Sequence, residues 1–333
     1  MHLPTSTTLA ATLLAALTFA HSTQSLPTTH VRAPQCVGES FMSLLPGDFE
    51  PSDLAFDATS NNLYVVSDDG RLATFDHVVD DRMTPATVVQ LGSPKDYDFE
   101  GATVVPHRPD FVYLSNEFPA AIVEYSKKEQ KVTRTWTVQT YLDADLSAKK
   151  SNHKNAGIES LLYEPTSGTF YAGRQSDARV FVFAIDLDGT SATLSSTTAT
   201  LVGKMDPPGP GKDLAAITLW RNNLWFLYDK SLALYPVTVQ DAQIPADYKP
   251  TDVLDATQLT NTDIGALKFD TRGQEGIVFV EVPDTGAKYV FVAVDPPRGK
   301  GYEKDLRRYT VDAFFECFSK NGAPADPIFF VQA

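Results

Sequence analysis

A five-copy repeat constrains this chain more than any other feature. A carboxylate, a residue with no side chain and three strand-forming residues run Glu275-Gly276-Ile277-Val278-Phe279. The design recurs as Glu100-Gly101-Ala102-Thr103-Val104 and Glu159-Ser160-Leu161-Leu162-Tyr163. A looser copy is Ser52-Asp53-Leu54-Ala55-Phe56, and one without the acid is Ala215-Ala216-Ile217-Thr218-Leu219. Spacings of roughly 50–60 residues mark a repeat architecture, in which each unit buries its apolar face against a neighbour. Runs of Val, Tyr, Phe and Thr bounded by Asp, Asn and Gly follow each copy. Each unit therefore reads as a four-stranded antiparallel meander, the blade of a β-propeller.

The expected strands are 54–56, 63–67, 72–75 and 86–91 in the first unit, and 100–105, 111–115, 121–125 and 131–138 in the second. The third holds 158–163, 169–173, 179–185 and 192–202; the fourth holds 216–220, 224–228, 232–237 and a weak strand at 253–259. The fifth holds 276–282, 289–294 and 306–311, followed by 313–318. Residues 36–45 read as an isolated strand able to complete the last blade. The fold class is all-β with five blades. Six is the alternative, with a blade inside 240–273, where Pro245, Pro250 and Gly265 interrupt every candidate strand. The polar segment 141–157 is too long for a hairpin loop, and is either a functional cover or a mobile insertion.

The uncharged apolar run 9–20 is shorter than a bilayer span and reads as the core of a secretory signal. The expected organisation is a signal peptide over 1–25, a flexible lead-in over 26–35 and a single propeller over 36–333, secreted and monomeric. Only two cysteines exist, Cys36 and Cys317, near the two ends of the mature chain. In an oxidising compartment they are expected to pair, and a disulfide there would contribute about 5 kcal/mol in the chain-entropy model. A net charge of −14 argues against nucleic acid and anionic membrane as partners.

In a meander the start of the first strand and the end of the second share one rim. Ser52, Asp53, Glu100, Glu159 and Glu275 should therefore meet Asp68, Asp69, Glu117, Arg174, Asp229 and Asp295 at one mouth of the central channel. Carboxylates converging on an axis raise one another's pKa unless a counter-charge is present. A hard divalent cation resolves this, and Ca²⁺ accepts six to eight oxygen ligands. The competing reading is a wet channel that tolerates charge. Ser52, Asp53, Glu100, Glu159 and Glu275 are the candidate metal ligands, and histidine and cysteine are absent from every repeat copy. Arg174 is either a structural partner for a carboxylate or an anion clamp. Lys149, Lys150, His153 and Lys154 form either a solvated loop or a basic flap suited to phosphate. Trp220 and Trp225 are read as packing. No nucleophile elbow, P-loop or zincin helix is present.

At these residues the chain resembles the SdiA-regulated propellers, through 52–56, 63–68, Phe99-Glu100-Gly101, Asn155-Ala156-Gly157-Ile158-Glu159, 213–217 and 274–278. That resemblance spans roughly 51–311. It implies a five-bladed, calcium-binding fold distantly related to NHL-repeat proteins, with no known reaction. The ring also looks like that of the calcium-activated apyrases, in which Ser with an acidic neighbour, Glu, Glu, Ser and Glu lead the five strands. By position these fall on Ser52 with Asp53, Glu100, Glu159, Ala215 and Glu275, and Ala215 departs from the pattern. The Leu-Tyr-x-x-Ser-Asp strand end at 63–68 is similar to the phytase-associated, esterase-like propellers. The expectation is a secreted calcium-binding module without established catalysis. The alternative is a Ca²⁺-dependent phosphoester or phosphoanhydride hydrolase, with Asp68, Asp69 or Glu117 as base and Arg174 beside the phosphate. In either case a small or phosphate-bearing ligand is expected at the channel mouth.

Overall fold

Short runs of β-branched and aromatic residues, each cut off by Asn, Asp or Gly, commit the chain to strands joined by tight turns. The computed structural model describes residues 38–78, 83–92, 96–149, 157–188, 199–259, 267–268, 273–283, 285–295 and 304–318. The expected signal, the lead-in, Cys36, Lys150, His153 and Lys154 lie outside the described residues, and so does the side chain of Lys149.

The described chain begins with β1 (Glu39–Ser40) and then forms one antiparallel sheet from β2 (Pro51–Asp57), β3 (Asn62–Ser67), β4 (Arg71–Phe75) and β5 (Thr87–Gln90). The second sheet is β6 (Phe99–Thr103), β7 (Phe111–Asn116), β8 (Ala121–Ser126) and β9 (Lys131–Thr137). Helix α1 (Gln139–Lys149) leads into the third, β10 (Ile158–Glu164), β11 (Thr169–Arg174), β12 (Val180–Ala184) and β13 (Thr200–Asp206). The fourth starts with β14 (Leu214–Trp220), β15 (Asn223–Tyr228) and β16 (Ala233–Thr238). The chain then passes through α2 (Val239–Ala242) and β17 (Val253–Asp255), and β18 (Leu267–Lys268) completes the sheet. The fifth is β19 (Gln274–Glu281), β20 (Lys288–Val294) and β21 (Asp305–Thr310), followed by α3 (Val311–Phe318).

The first strand of each sheet, β2, β6, β10, β14 and β19, packs against the next, and β19 returns to β2. The ring is thus closed as a five-bladed propeller. Glu39 opposite Arg308 adds β1 to the edge of the fifth blade, so the two ends of the propeller share one sheet. Five apolar clusters fill the five seams between neighbouring blades. Trp225 and Trp220 lie in the seam between blades four and five, with Trp220 stacked 5.3 Å from Phe279.

The structure corrects the expected fourth strand of blade four and the strand expected at 313–318. Residues 253–255 do not belong to blade four; β17 runs parallel to β13 as a fifth strand of blade three. The fourth strand of blade four is instead the two-residue β18. Residues 313–318 are helical, because Val311, Phe314 and Phe318 fall on one face and bury against blades four and five. The polar segment 141–157 starts within α1, which buries Leu142, Asp145 and Leu146. No sixth blade exists among the described residues.

Candidate functional site

The five inner strands share one irregularity. In each, the pairing register slips by one residue at the same place: between Pro51 and Asp53, Phe99 and Gly101, Ile158 and Ser160, Leu214 and Ala216, and Gln274 and Gly276. Each slip is a β-bulge, which leaves one residue unpaired and re-aims its side chain. The five residues left over are Ser52, Glu100, Glu159, Ala215 and Glu275. The repeated carboxylate of the sequence is therefore the bulge residue, lifted out of the sheet where the strands converge.

A second tier lies two residues upstream, where each inner strand starts beside the end of the second strand. The register places Glu50 with Asp68, Asp98 with Glu117, Gly157 with Gln175, Asp213 with Asp229, and Gly273 with Asp295. In three blades the later residue donates its backbone N–H to the earlier carbonyl: Glu117 to Asp98 at 2.7 Å, Asp229 to Asp213 at 3.2 Å and Asp295 to Gly273 at 2.7 Å. Gly157 has a specific reason to be glycine: a Cβ there would stand 2.2 Å from Glu117 Cγ and 2.3 Å from its carbonyl oxygen. The missing side chain lets Glu117 cross the seam toward Glu159.

The tiers meet in blade two, where carboxylate oxygens of Asp98, Glu100 and Glu117 all lie within 4.8 Å of one another. Burial, followed by the charges of Glu159, Asp98, Glu275 and Glu117, pushes the Glu100 carboxyl well above the usual range. Glu159 is pushed up by burial and then by Glu117 and Glu275. Burial with Asp229 and Asp295 takes Glu275 to about 8, and burial with Asp98 takes Glu117 to about 6. Asp68 rises to about 7 through burial and the charges of Glu50, Asp98 and Asp69, and its Oδ1 has no hydrogen-bond partner. The charges of Glu159 and Glu275 thus reach Glu100, and that of Glu275 reaches Glu159.

Among the described residues, the basic side chains of this rim are engaged with carboxylates, two of them in the second tier. Lys230 reaches Asp213, Lys304 reaches Glu50, and Arg71 joins Asp48 and Asp69. Arg179 pairs with Asp206 and Asp145. Arg174 is fully buried, bonded to Asp145 at 2.5 Å, to Asp177 at 2.8 Å and to the Leu142 carbonyl at 3.3 Å. Its guanidinium also lies 4.9 Å over Phe181. Of the two readings of Arg174, the geometry is that of the structural partner; an anion has no access to it.

Ser52 and Asp53 part company. Ser52 is the bulge residue, whereas Asp53 follows it and turns into the seam. There Asp53 accepts a hydrogen bond from Ala102 N at 3.0 Å. Its Cα would lie 2.6 Å from a Cβ on Gly276, so the bare glycine makes room for it. Asp53 clasps blade one to its neighbours rather than entering the ring. Asp69 is likewise occupied, by Arg71 and Ser67. Sequence reading missed Asp98 and Glu50. Aligning the five copies two residues further upstream would have exposed Glu50, Asp98 and Asp213 as one recurring position.

The cluster of Asp98, Glu100 and Glu117 offers oxygen donors, the donor chemistry of a hard divalent cation. The fold and site define a five-bladed propeller with a two-tiered acidic channel mouth. The family described as "Phytase-like: Esterase-like activity of phytase" matches residues 50–295, and the chain belongs to it. That is the third of the three resemblances read from the sequence. Among solved structures, glutaminyl cyclase from Myxococcus xanthus is 12% identical, with 80% of this chain and 93% of that chain covered at a TM-score of 0.46. Hydrazine synthase from Kuenenia stuttgartiensis is 10% identical, with 80% and 67% covered at a TM-score of 0.40. At these values neither speaks to this chain's activity. No curated protein matches the chain.

Proposed function

We propose that this is a secreted, Ca²⁺-dependent phosphoester hydrolase whose cation is held at the acidic mouth. The observation that carries the proposal is the convergence of Asp98, Glu100 and Glu117 oxygens within 4.8 Å, beside Glu159 and Glu275. Like charges so placed repel strongly when partly buried, and a divalent cation removes the repulsion. The family's description supports an ester as substrate. Glu100, Glu159, Glu275, Asp98 and Glu117 would hold the cation, with Ser52 completing the ring and Ala215 leaving a gap for water or ligand. Bound there, Ca²⁺ would supply the positive charge that neutralises a phosphate in the transition state. In the reaction a water oxygen bonds to phosphorus as the bond to the alcohol oxygen breaks. Asp68, with its unpartnered Oδ1, takes the water's proton, and the alcohol leaves protonated from solvent.

Phosphate release from p-nitrophenyl phosphate and phytate, in Ca²⁺ and in chelator, tests the proposal. Release that requires Ca²⁺ and falls at least a hundredfold in Glu159→Gln is expected; release unaffected by chelator would refute it. We also propose the Cys36–Cys317 disulfide, since β1 brings the start of the propeller onto β21 and α3, which carries Cys317, continues directly from the end of that strand. Non-reducing peptide mapping of the secreted chain checks it.

A further inference from the structure

We infer that the ester taken at this mouth carries a single phosphate on an apolar, preferably aromatic, alcohol, and that Phe118 selects it. This rests on the hydrolytic reading above and narrows its substrate class. The turns that rim the mouth are mostly polar: Asp68-Asp69-Gly70, Gln175-Ser176-Asp177 and Asp229-Lys230-Ser231. Blade two is different, with Glu117-Phe118-Pro119-Ala120. Phe118 is 72% exposed, the one large hydrophobic so placed among the described residues.

A lone exposed hydrophobic residue is ordinary; its position and its support set Phe118 apart. It directly follows Glu117, whose carboxylate belongs to the cluster, and neighbouring α-carbons are about 3.8 Å apart. The Phe118 backbone is thus within one residue of the cluster, and its exposed ring is the apolar surface nearest to it in the chain. The turn is also fixed at both ends. Glu117 N donates to Asp98 O at 2.7 Å, Asn116 Nδ2 to Pro119 O at 2.9 Å, and Ala120 N to Gln139 Oε1 at 2.7 Å. An aromatic ring held in water at that place is a preformed platform for an apolar group.

Among the described residues, charge disfavours the polyphosphates. One divalent cation roughly balances one phosphate, which carries about −1.5 to −2 at pH 7. Inositol hexaphosphate would need a basic cluster for its remaining phosphates. Arg71, Arg174, Arg179 and Lys230 are already paired with carboxylates. The net charge of −14 adds a general repulsion.

Calorimetric titration of the Ca²⁺-loaded mature protein with phenyl phosphate, glycerol 2-phosphate and phytate tests the inference. Phenyl phosphate should bind about three- to tenfold more tightly than glycerol 2-phosphate, the range that aromatic contact provides. In Phe118→Ala that ratio should fall to about one, and in Phe118→Tyr it should persist. A ratio near one in the unmodified protein, a preference that survives Phe118→Ala, or phytate as the tightest ligand would overturn it. Release of phosphate is followed separately. An intact binding preference without release sinks the hydrolytic reading alone, whereas release without preference sinks this one alone. No binding of any of the three overturns both.

Discussion

Asp145→Asn is the most informative single substitution outside the acidic mouth. Asp145 projects from α1 and is reached by Arg174 at 2.5 Å, Lys204 at 2.9 Å and Arg179 at 3.4 Å. Removing its charge takes the shared carboxylate from three cations; the buried Arg174 keeps Asp177 and Arg179 keeps Asp206, whereas Lys204 loses its ion pair. Loss of one partner of a buried ion pair costs about 3–5 kcal/mol. Unfolding entropy of about 2.1 cal/mol/K per residue gives a propeller of this size about 0.6 kcal/mol/K, so Tm should fall by roughly 5–8 °C. Arg174→Met should cost less, about 2–3 kcal/mol, because Asp145 keeps Lys204 and Arg179. Burial alone would raise the Asp145 carboxyl, yet hydrogen bonds from Lys204 and Arg174 outweigh it and hold the group below its usual range. A depressed folded pKa contributes stability above the unfolded value near 3.9 and loses it as pH falls through the folded one. The variant and the parent should therefore converge in Tm as pH falls through that lowered folded value. Calorimetric melts from pH 7 to pH 2.5 measure both effects. An unchanged Tm in Arg174→Met, together with lost phosphate affinity, would refute the structural role and restore the anion clamp.

Three further outcomes are expected. Gly157→Ala should weaken Ca²⁺ binding about tenfold by pushing Glu117 out of the cluster, measured by calorimetry. Metal-free protein should lose stability as pH rises from 5 to 9. Glu117, Asp68 and Glu275, raised to about 6, 7 and 8, bind more protons folded than unfolded across that window. Saturating Ca²⁺ should flatten this slope, and melts with and without chelator read it. Glu124→Ala should cost about 3–5 kcal/mol, because Arg134, Arg108 and the Tyr113 hydroxyl all converge on that buried carboxylate.

The ring was legible because its signal repeats. Glu100, Glu159 and Glu275 stand at one position of five copies, and the structure puts that position on a bulge in every inner strand. What the sequence hid is local. Asp98 and Glu50 precede strands, where acids commonly mark turns, so only the copy-to-copy register reveals them. Asp53 adjoins Ser52, and because a strand alternates faces its carboxylate lies in the seam, accepting from Ala102 N. The run 311–318 is short and apolar, a length at which strand and helix cannot be told apart by pattern. β17 misled for a different reason. Its three residues pair with the sheet before them, a long-range choice that no local pattern encodes.

The central claim is that the two-tiered mouth holds a hard divalent cation. Calorimetric titration of chelator-treated protein with Ca²⁺, repeated on Glu100→Gln and Glu159→Gln, tests it most directly. Saturable binding that both substitutions weaken at least tenfold is expected, with a stability gain of about 2.7 kcal/mol at a hundredfold excess over Kd. No binding heat, with melting curves identical in Ca²⁺ and in chelator, would contradict it.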